Sequence, residues 1–158
     1  MIKALAESGA DSVTFYETTG WRGVMETAAG SPLPEKFPSI PGAVFPLYHV
    51  LADVGEFAGG EVITSHSSDS LKVESLALRH DGRRTMLLAN LTDGPQRVRV
   101  GSFAAAIDIR RLDETNARQA MMDPEHFRAG TRETHGASND TLELTLPPFA
   151  LARLDAHD

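Results

Sequence analysis

Ser12-Val-Thr-Phe-Tyr-Glu-Thr-Thr-Gly-Trp-Arg-Gly-Val-Met25 is the stretch on which the reading of this chain turns. Its first five residues, Ser12 to Tyr16, are β-branched and aromatic types that favour an extended strand. After Tyr16 the composition changes at once to a carboxylate, two hydroxyls, an indole and a guanidinium: Glu17, Thr18, Thr19, Trp21 and Arg22. Gly20 and Gly23 let the backbone bend sharply around them. A helical stretch with Ile2, Leu5 and Ala6 on one side precedes the strand and ends at Gly9. Helix, tight turn, buried strand and polar loop form an α/β unit. In parallel α/β folds the reactive groups sit where strands end and loops begin, and Glu17 falls at that point. The competing reading of Glu17 is a turn cap, or an ion-pair partner of Arg22. Tyr16 alternates away from its strand neighbours and is read as packing.

Outward from this segment, Ala29 to Gly42 is a loop punctuated by Pro32, Pro34, Pro38 and Pro41. Loops of that length in a compact domain are usually functional. Val44, Leu47, Tyr48, Leu51, Val54 and Ala58 then recur at helical spacing and predict an amphipathic helix of about four turns. Pro46 is tolerated in its first turn, and Gly59-Gly60 supplies the stop. His49 on this helix has no partner at metal-ligand spacing and is read as a surface or packing histidine.

From Glu61 the period changes from helical to alternating. Val73–His80 and Thr85–Leu91 flank Asp81-Gly82, a strong hairpin signal. Gln96–Val100, Ile107–Leu112, Thr141–Leu146 and Phe149–Leu154 follow, and alternation in the first three predicts one buried and one wet face. Asn116 to Gly136 is polar and irregular, with a short helical turn near Pro124. Short antiparallel strands at this turn spacing predict a β-sandwich. The expected organisation is residues 1–60 as one unit and 61–158 as the sandwich.

Composition narrows the partners. The 158 residues carry a formal charge of −7, which argues against nucleic acid and anionic membranes. Arg79, Arg83, Arg84, Arg97, Arg99, Arg110 and Arg111 lie among acids along the strands and read as a solvated sheet face. Cys 0 excludes disulfides and thiolate chemistry. The six histidines show no HExxH or paired-ligand spacing, so no metal site and no cofactor are expected. His66-Ser67-Ser68-Asp69 holds the elements of a triad, but consecutive residues cannot adopt relay geometry among themselves, so it reads as a polar turn. No run is apolar enough to span a bilayer, and no charged-then-apolar leader is present. The expectation is a cytoplasmic protein, with Asn90-Leu91-Thr92 and Asn139-Asp140-Thr141 as chance sequons.

Tyr16-Glu17-Thr18-Thr19-Gly20-Trp21-Arg22-Gly23, a helix, and a sandwich closing on Leu146-Pro-Pro-Phe-Ala-Leu-Ala-Arg-Leu154 resemble the tail of a glycoside-hydrolase-like (β/α)₈ protein. More narrowly, they resemble the C-terminal portion of the D-apionate lactonase family, whose members join a barrel to a C-terminal β domain and hydrolyse a branched sugar-acid lactone. The resemblance implies an α+β fragment: Ser12–Tyr16 as the eighth barrel strand, Ala43–Ala58 as the eighth helix, then an antiparallel sandwich. It implies a sugar-acid lactone or other small carbohydrate, and the remainder of its own barrel, as partners. The chain alone is then expected to be inactive, because a barrel takes about 250 residues and draws its site from several strands.

On that reading Glu17 is the catalytic acid/base or a hydroxyl-binding carboxylate. Arg22 binds the carbonyl or product carboxylate, Trp21 walls the sugar carbons, and Thr18 and Thr19 bond hydroxyls. The alternatives are the tail of a glycoside hydrolase and a non-catalytic β module. Glycosidases use two carboxylates usually carried on the fourth and seventh strands, which Glu17 does not match. The few aromatics of the sandwich half (Phe103, Phe127, Phe149) favour a structural role for it over sugar binding.

Overall fold

Asp81 and Gly82 both take positive φ, at 48° and 76°. Two such residues in a row make the tight turn whose twist matches that of paired strands. They join β2 (Val73–His80) to β3 (Arg83–Asn90) in antiparallel register from His80↔Arg83 to Val73↔Asn90. The hairpin read from Asp81-Gly82 therefore forms as expected. It is the seed of the larger of two sheets. The computed structural model describes residues 1–10, 12–14, 17–101, 106–130, 132–136 and 141–157.

Among the described residues the chain divides into two compact units. The first comprises Met1–Gly9, Phe57–Asp113 and Thr131–Asp158. It holds α1 (Ile2–Glu7), β1 (Glu61–Ile63), β2, β3, β4 (Gln96–Gly101), β5 (Ala106–Leu112), β6 (Glu133–Gly136), β7 (Thr141–Leu146) and β8 (Leu151–His157). Six strands form one sheet in the order β1-β2-β3-β8-β5-β6, and β4 pairs with β7 in a second. Every strand pairing in both is antiparallel.

The sandwich core lies between these sheets. Leu88, Ile107, Ile109, Ala152 and Leu154 from the large sheet meet Val100, Leu142, Leu144 and Leu146 from the small one. Each fully buried leucine or isoleucine here contributes about 1.5–3 kcal/mol by leaving water. The small sheet alternates as the sequence predicts: Arg97 and Arg99 face out while Val98 and Val100 face in. The large sheet does not. Ser75, Leu76, Ala77 and Leu78 are all buried, as are Arg110 and Arg153. A sheet covered on both faces loses its period-two signal, which corrects the reading of Arg110 as part of a solvated face. Buried Arg153 sits 5.9 Å from the ring of buried Phe57, where its guanidinium keeps a π partner as water is lost, and exposed Arg83 lies 5.1 Å from the same ring.

Asn90 closes one end of the sandwich. Its Nδ2 donates to the carbonyls of Gly94, Leu146 and Pro147 at 2.8, 3.3 and 2.8 Å, and its Oδ1 accepts from the Thr92 amide. A side chain so engaged is not a glycan acceptor in the folded chain. The second sequon begins on Asn139 and Asp140, outside the described residues, as does Phe103.

The second unit comprises Ala10–Glu56 and Glu114–Gly130. Its main helix, α2, spans Pro46–Gly55, shorter than the four turns expected. Phe45 is an extended N-cap and Pro46 occupies the first turn, so Ala43 and Val44 stay outside; Val44 instead bridges Met25 and donates to the Met121 carbonyl. The stretch 116–136, read as irregular, holds α3 (Ala117–Met122), α4 (Pro124–Ala129) and β6. Asp123 caps α4 by accepting from the His126 amide, with Pro124 in its first turn.

The expected strand over Ser12–Tyr16 does not form in its described part. Ser12, Val13 and Thr14 are exposed and unladdered, and Phe15 and Tyr16 lie outside the described residues. β-branched propensity makes a strand only beside a hydrogen-bonding neighbour, and the described residues place none there.

Candidate functional site

The segment after Glu17 folds back on itself through its own backbone. The Thr18 carbonyl accepts from the amides of Val24 and Met25 at 3.0 and 3.1 Å, and Gly20 donates to the Met25 carbonyl at 2.8 Å. Gly20 takes φ +107°, a conformation that suits glycine. A Cβ on Gly23 would stand 2.8 Å from the Thr18 carbonyl carbon. The two glycines thus allow a loop tight enough to set 17, 21 and 22 side by side.

Arg22 Nη2 donates to Glu17 Oε1 at 2.6 Å, and the same guanidinium lies 5.2 Å from the Trp21 ring centroid. Phe37, delivered by the proline-punctuated loop, packs on Trp21 with ring centroids 4.3 Å apart and planes tilted 32°. A turn in which Lys36 and Phe37 both donate to the Leu33 carbonyl presents that ring. The result is a half-open cluster of carboxylate, guanidinium and two stacked rings. Such a cluster can bind a polyhydroxylated molecule by its apolar carbon face while the charged pair addresses its oxygens. Glu17, Trp21 and Arg22 are brought together; Thr18 shapes the loop through its carbonyl, and the side chains of Thr18 and Thr19 are exposed.

Phe37 joins this cluster without a place in the sequence reading, and the same reading does not single out buried Glu26 nearby in the chain. Phe37 lies within a proline-rich loop, where a lone aromatic among prolines is a signal for a docked ring. Glu26 follows Met25 directly and is only 5% exposed. Its Oε1 accepts from the Thr27 amide at 2.8 Å, its own amide donates to the Ala43 carbonyl, and its Oε2 meets no donor among the described residues.

A second polar group in this unit is structural. His49 is 2% exposed, and its Nε2 lies 3.0 Å from the Ala120 carbonyl, so that nitrogen carries the proton. The Phe127 ring packs edge-on against it at 4.8 Å. Arg128 donates to Asp53 at 2.9 Å, to Glu56, and to the His49 carbonyl at 3.3 Å. Tyr48 donates to Glu125 at 3.2 Å; burial first, and then this bond, push its hydroxyl above its ordinary pKa. These contacts tie α2 to α3 and α4, which confirms His49 as a packing residue. No group of three potential metal ligands occurs among the described residues. No helix among them is long and apolar enough to cross a membrane.

A family model for the C-terminal immunoglobulin-like domain of D-apionate lactonase matches residues 70–154, more than half of the chain. The chain belongs to the D-apionate lactonase family. A second model, for the TIM-barrel domain of D-apionate lactonase, matches residues 1–59. The fold is thus a TIM-barrel portion followed by an antiparallel immunoglobulin-like domain, as the resemblance implied. No curated protein matches the sequence.

Among solved structures the chain is similar to the glycoside hydrolase family 30 subfamily 8 xylanase Xyn30A from Clostridium acetobutylicum. The TM-score is 0.60 at 14% identity, covering 87% of this chain and 31% of that one. It is also similar to a GH30 endoxylanase from Clostridium papyrosolvens, with a TM-score of 0.55 at 12% identity, over 73% of this chain and 28% of that one. At these identities the likeness is one of fold. The chain spans less than a third of the length of either structure. Within the D-apionate lactonase family match, the Glu17–Arg22 cluster lies in the barrel segment and the alternating strands in the immunoglobulin-like domain.

Proposed function

We propose that this chain is the C-terminal segment of a sugar-acid lactone hydrolase, with D-apionolactone as substrate and D-apionate as product, and with a domain boundary at Gly59-Gly60. The observation that carries the reading is the Glu17–Arg22 pair held against the Trp21–Phe37 rings by a loop that requires Gly23. The family match supports the reaction class, and the barrel-model match over residues 1–59 supports assigning the site to the barrel portion.

Lactone hydrolysis adds water to the acyl carbon and breaks the ring C–O bond, leaving a hydroxy acid. Glu17 takes the proton from water and returns it to the departing ring oxygen. Arg22 stabilises the negative charge that develops on the carbonyl oxygen and then holds the product carboxylate. Trp21, backed by Phe37, covers the sugar carbons. Thr18 and Thr19 bond ring hydroxyls. The other catalytic groups belong to further barrel strands, since a barrel of this kind takes about 250 residues.

The test is hydrolysis of D-apionolactone followed by base uptake at constant pH. It compares the protein carrying the whole barrel, its Glu17→Gln variant and the 158-residue chain alone. The expected result is activity in the whole-barrel protein, a loss of about 10²–10⁴-fold in Glu17→Gln, and none in the chain alone. Undiminished turnover in Glu17→Gln would remove Glu17 from the chemistry.

A further inference from the structure

The small sheet of the sandwich ends on β4. β7 pairs with one edge of β4, and among the described residues no strand pairs with the other. A cavity of about 550 Å³ runs along that second edge. Every residue of β4 from Gln96 to Gly101 lines it, whereas no residue of β7 does. Inward Val98 and outward Arg97 and Arg99 border the same space, so it follows the strand's backbone edge and not one of its faces. The floor is the inner face of the large sheet at Ser75, Ala77, Met86 and Leu88, and the segment 63–69 forms the far wall. An edge without a strand partner among the described residues, beside a partly apolar floor, is a template for one more strand.

We propose that this slot takes an extended peptide strand from a partner polypeptide, paired antiparallel or parallel to β4, with alternating apolar and acidic residues. The apolar residues would rest on Ala77, Met86 and Leu88. The acidic ones would point outward beside Arg97 and Arg99, both exposed. β7 shows that this chemistry fits β4 on its other side: Leu142, Leu144 and Leu146 point in, and Glu143 meets Arg99 outside, at 2.8 Å. A second copy of the chain suits the slot poorly. β4 laid antiparallel on another β4 sets Arg97 and Arg99 against the same arginines, and like charges opposite one another are destabilising.

The test is amide hydrogen exchange of the 158-residue chain, read by NMR, with capped eight-residue peptides. One alternates glutamate and valine, one alternates lysine and valine, and a third is the first peptide with N-methylated backbone. In a strand, alternate amides face opposite edges. The first peptide is therefore expected to slow exchange at alternate β4 residues, the set left fast by β7, and to shift the Met86 and Leu88 methyl signals. The lysine peptide should bind about fivefold more weakly, and Arg97→Glu, an exposed change, should shrink that preference. Equal binding of the two charged peptides would overturn the stated chemistry, and unimpaired binding of the N-methylated one would overturn strand pairing. Failure of all three to protect β4, or its protection by self-association of the free chain in sedimentation, would overturn the proposal outright.

Discussion

Gly23 and Thr18 approach so closely that a side chain on the first would occupy the backbone of the second: a Cβ at 23 would lie 2.8 Å from both the carbonyl carbon and oxygen of Thr18. The atoms in the way are backbone and cannot swing aside. Gly23→Ala is therefore expected to open the loop and to cost about 1–3 kcal/mol. Urea unfolding measures the cost. Loss of the Glu17–Arg22 contact, seen as a change in the Arg22 side-chain NMR signals, reports the opening itself.

Trp21 is the only tryptophan in the chain, which makes its stacking directly observable. With Phe37 at 4.3 Å removed in Phe37→Ala, one face of the indole meets water. Emission should move to longer wavelength and acrylamide quenching should rise, with a stability loss of about 0.5–1.5 kcal/mol for the ring pair. An unchanged spectrum would mean that the proline-rich loop does not hold Phe37 there in solution.

Arg128 is the hub of the helical part of the second unit, neutralising Asp53, whose side chain is 7% exposed. Arg128→Ala removes the cation paired with a buried carboxylate and is expected to destabilise by about 3–5 kcal/mol. Asp53→Asn in the same background should recover part of that loss, because it removes the buried negative charge that Arg128 had faced. Thermal or urea unfolding of the two variants decides it.

Asp108 links three strands: it accepts from Thr134 Oγ1 at 2.6 Å and faces His157 Nε2 at 2.7 Å. The Thr134 hydroxyl first, and His157 second, hold its carboxyl below the ordinary aspartate value. A depressed folded pKa contributes stability above the unfolded value, near pH 3.9, and that contribution disappears as pH falls through the folded value. The wild type should thus lose stability below about pH 4 more steeply than Asp108→Asn. Urea midpoints measured between pH 2 and 6 give both slopes, and parallel curves would show that the bonds do not persist in solution.

How much of this was legible in the sequence varies with how local the cause is. The β2–β3 hairpin was readable because Asp81-Gly82 carries its own geometry. The edges of α2 were not, because Val44 gives up helix for a bridge to Met25, a partner far enough back in the chain to be invisible to periodicity. α3 and α4 were under-read because their apolar positions are sparse, yet Asp123-Pro124-Glu125 already had the form of a capped helix start. The alternation rule failed on β2 and β5 for a global reason, since nothing in Leu76 or Arg110 announces that both sheet faces are covered. In the candidate site, Glu17, Trp21 and Arg22 were legible as neighbours in sequence. Phe37 reaches Trp21 only through the turn at Leu33, and Glu26 stands out only once its burial is known.

β8 lies between β3 and β5, although it is made after every strand it joins. During synthesis, at about 5–20 residues per second, the β2–β3 hairpin can form early, but it waits with Met86–Ala89 unpaired on one side until Leu151–Leu154 have left the ribosome. The late strand is thus the keystone of the sheet. A frameshift or clipping event that removed only those last residues would part β3 from β5 and leave two exposed edges for chaperones and proteases to find.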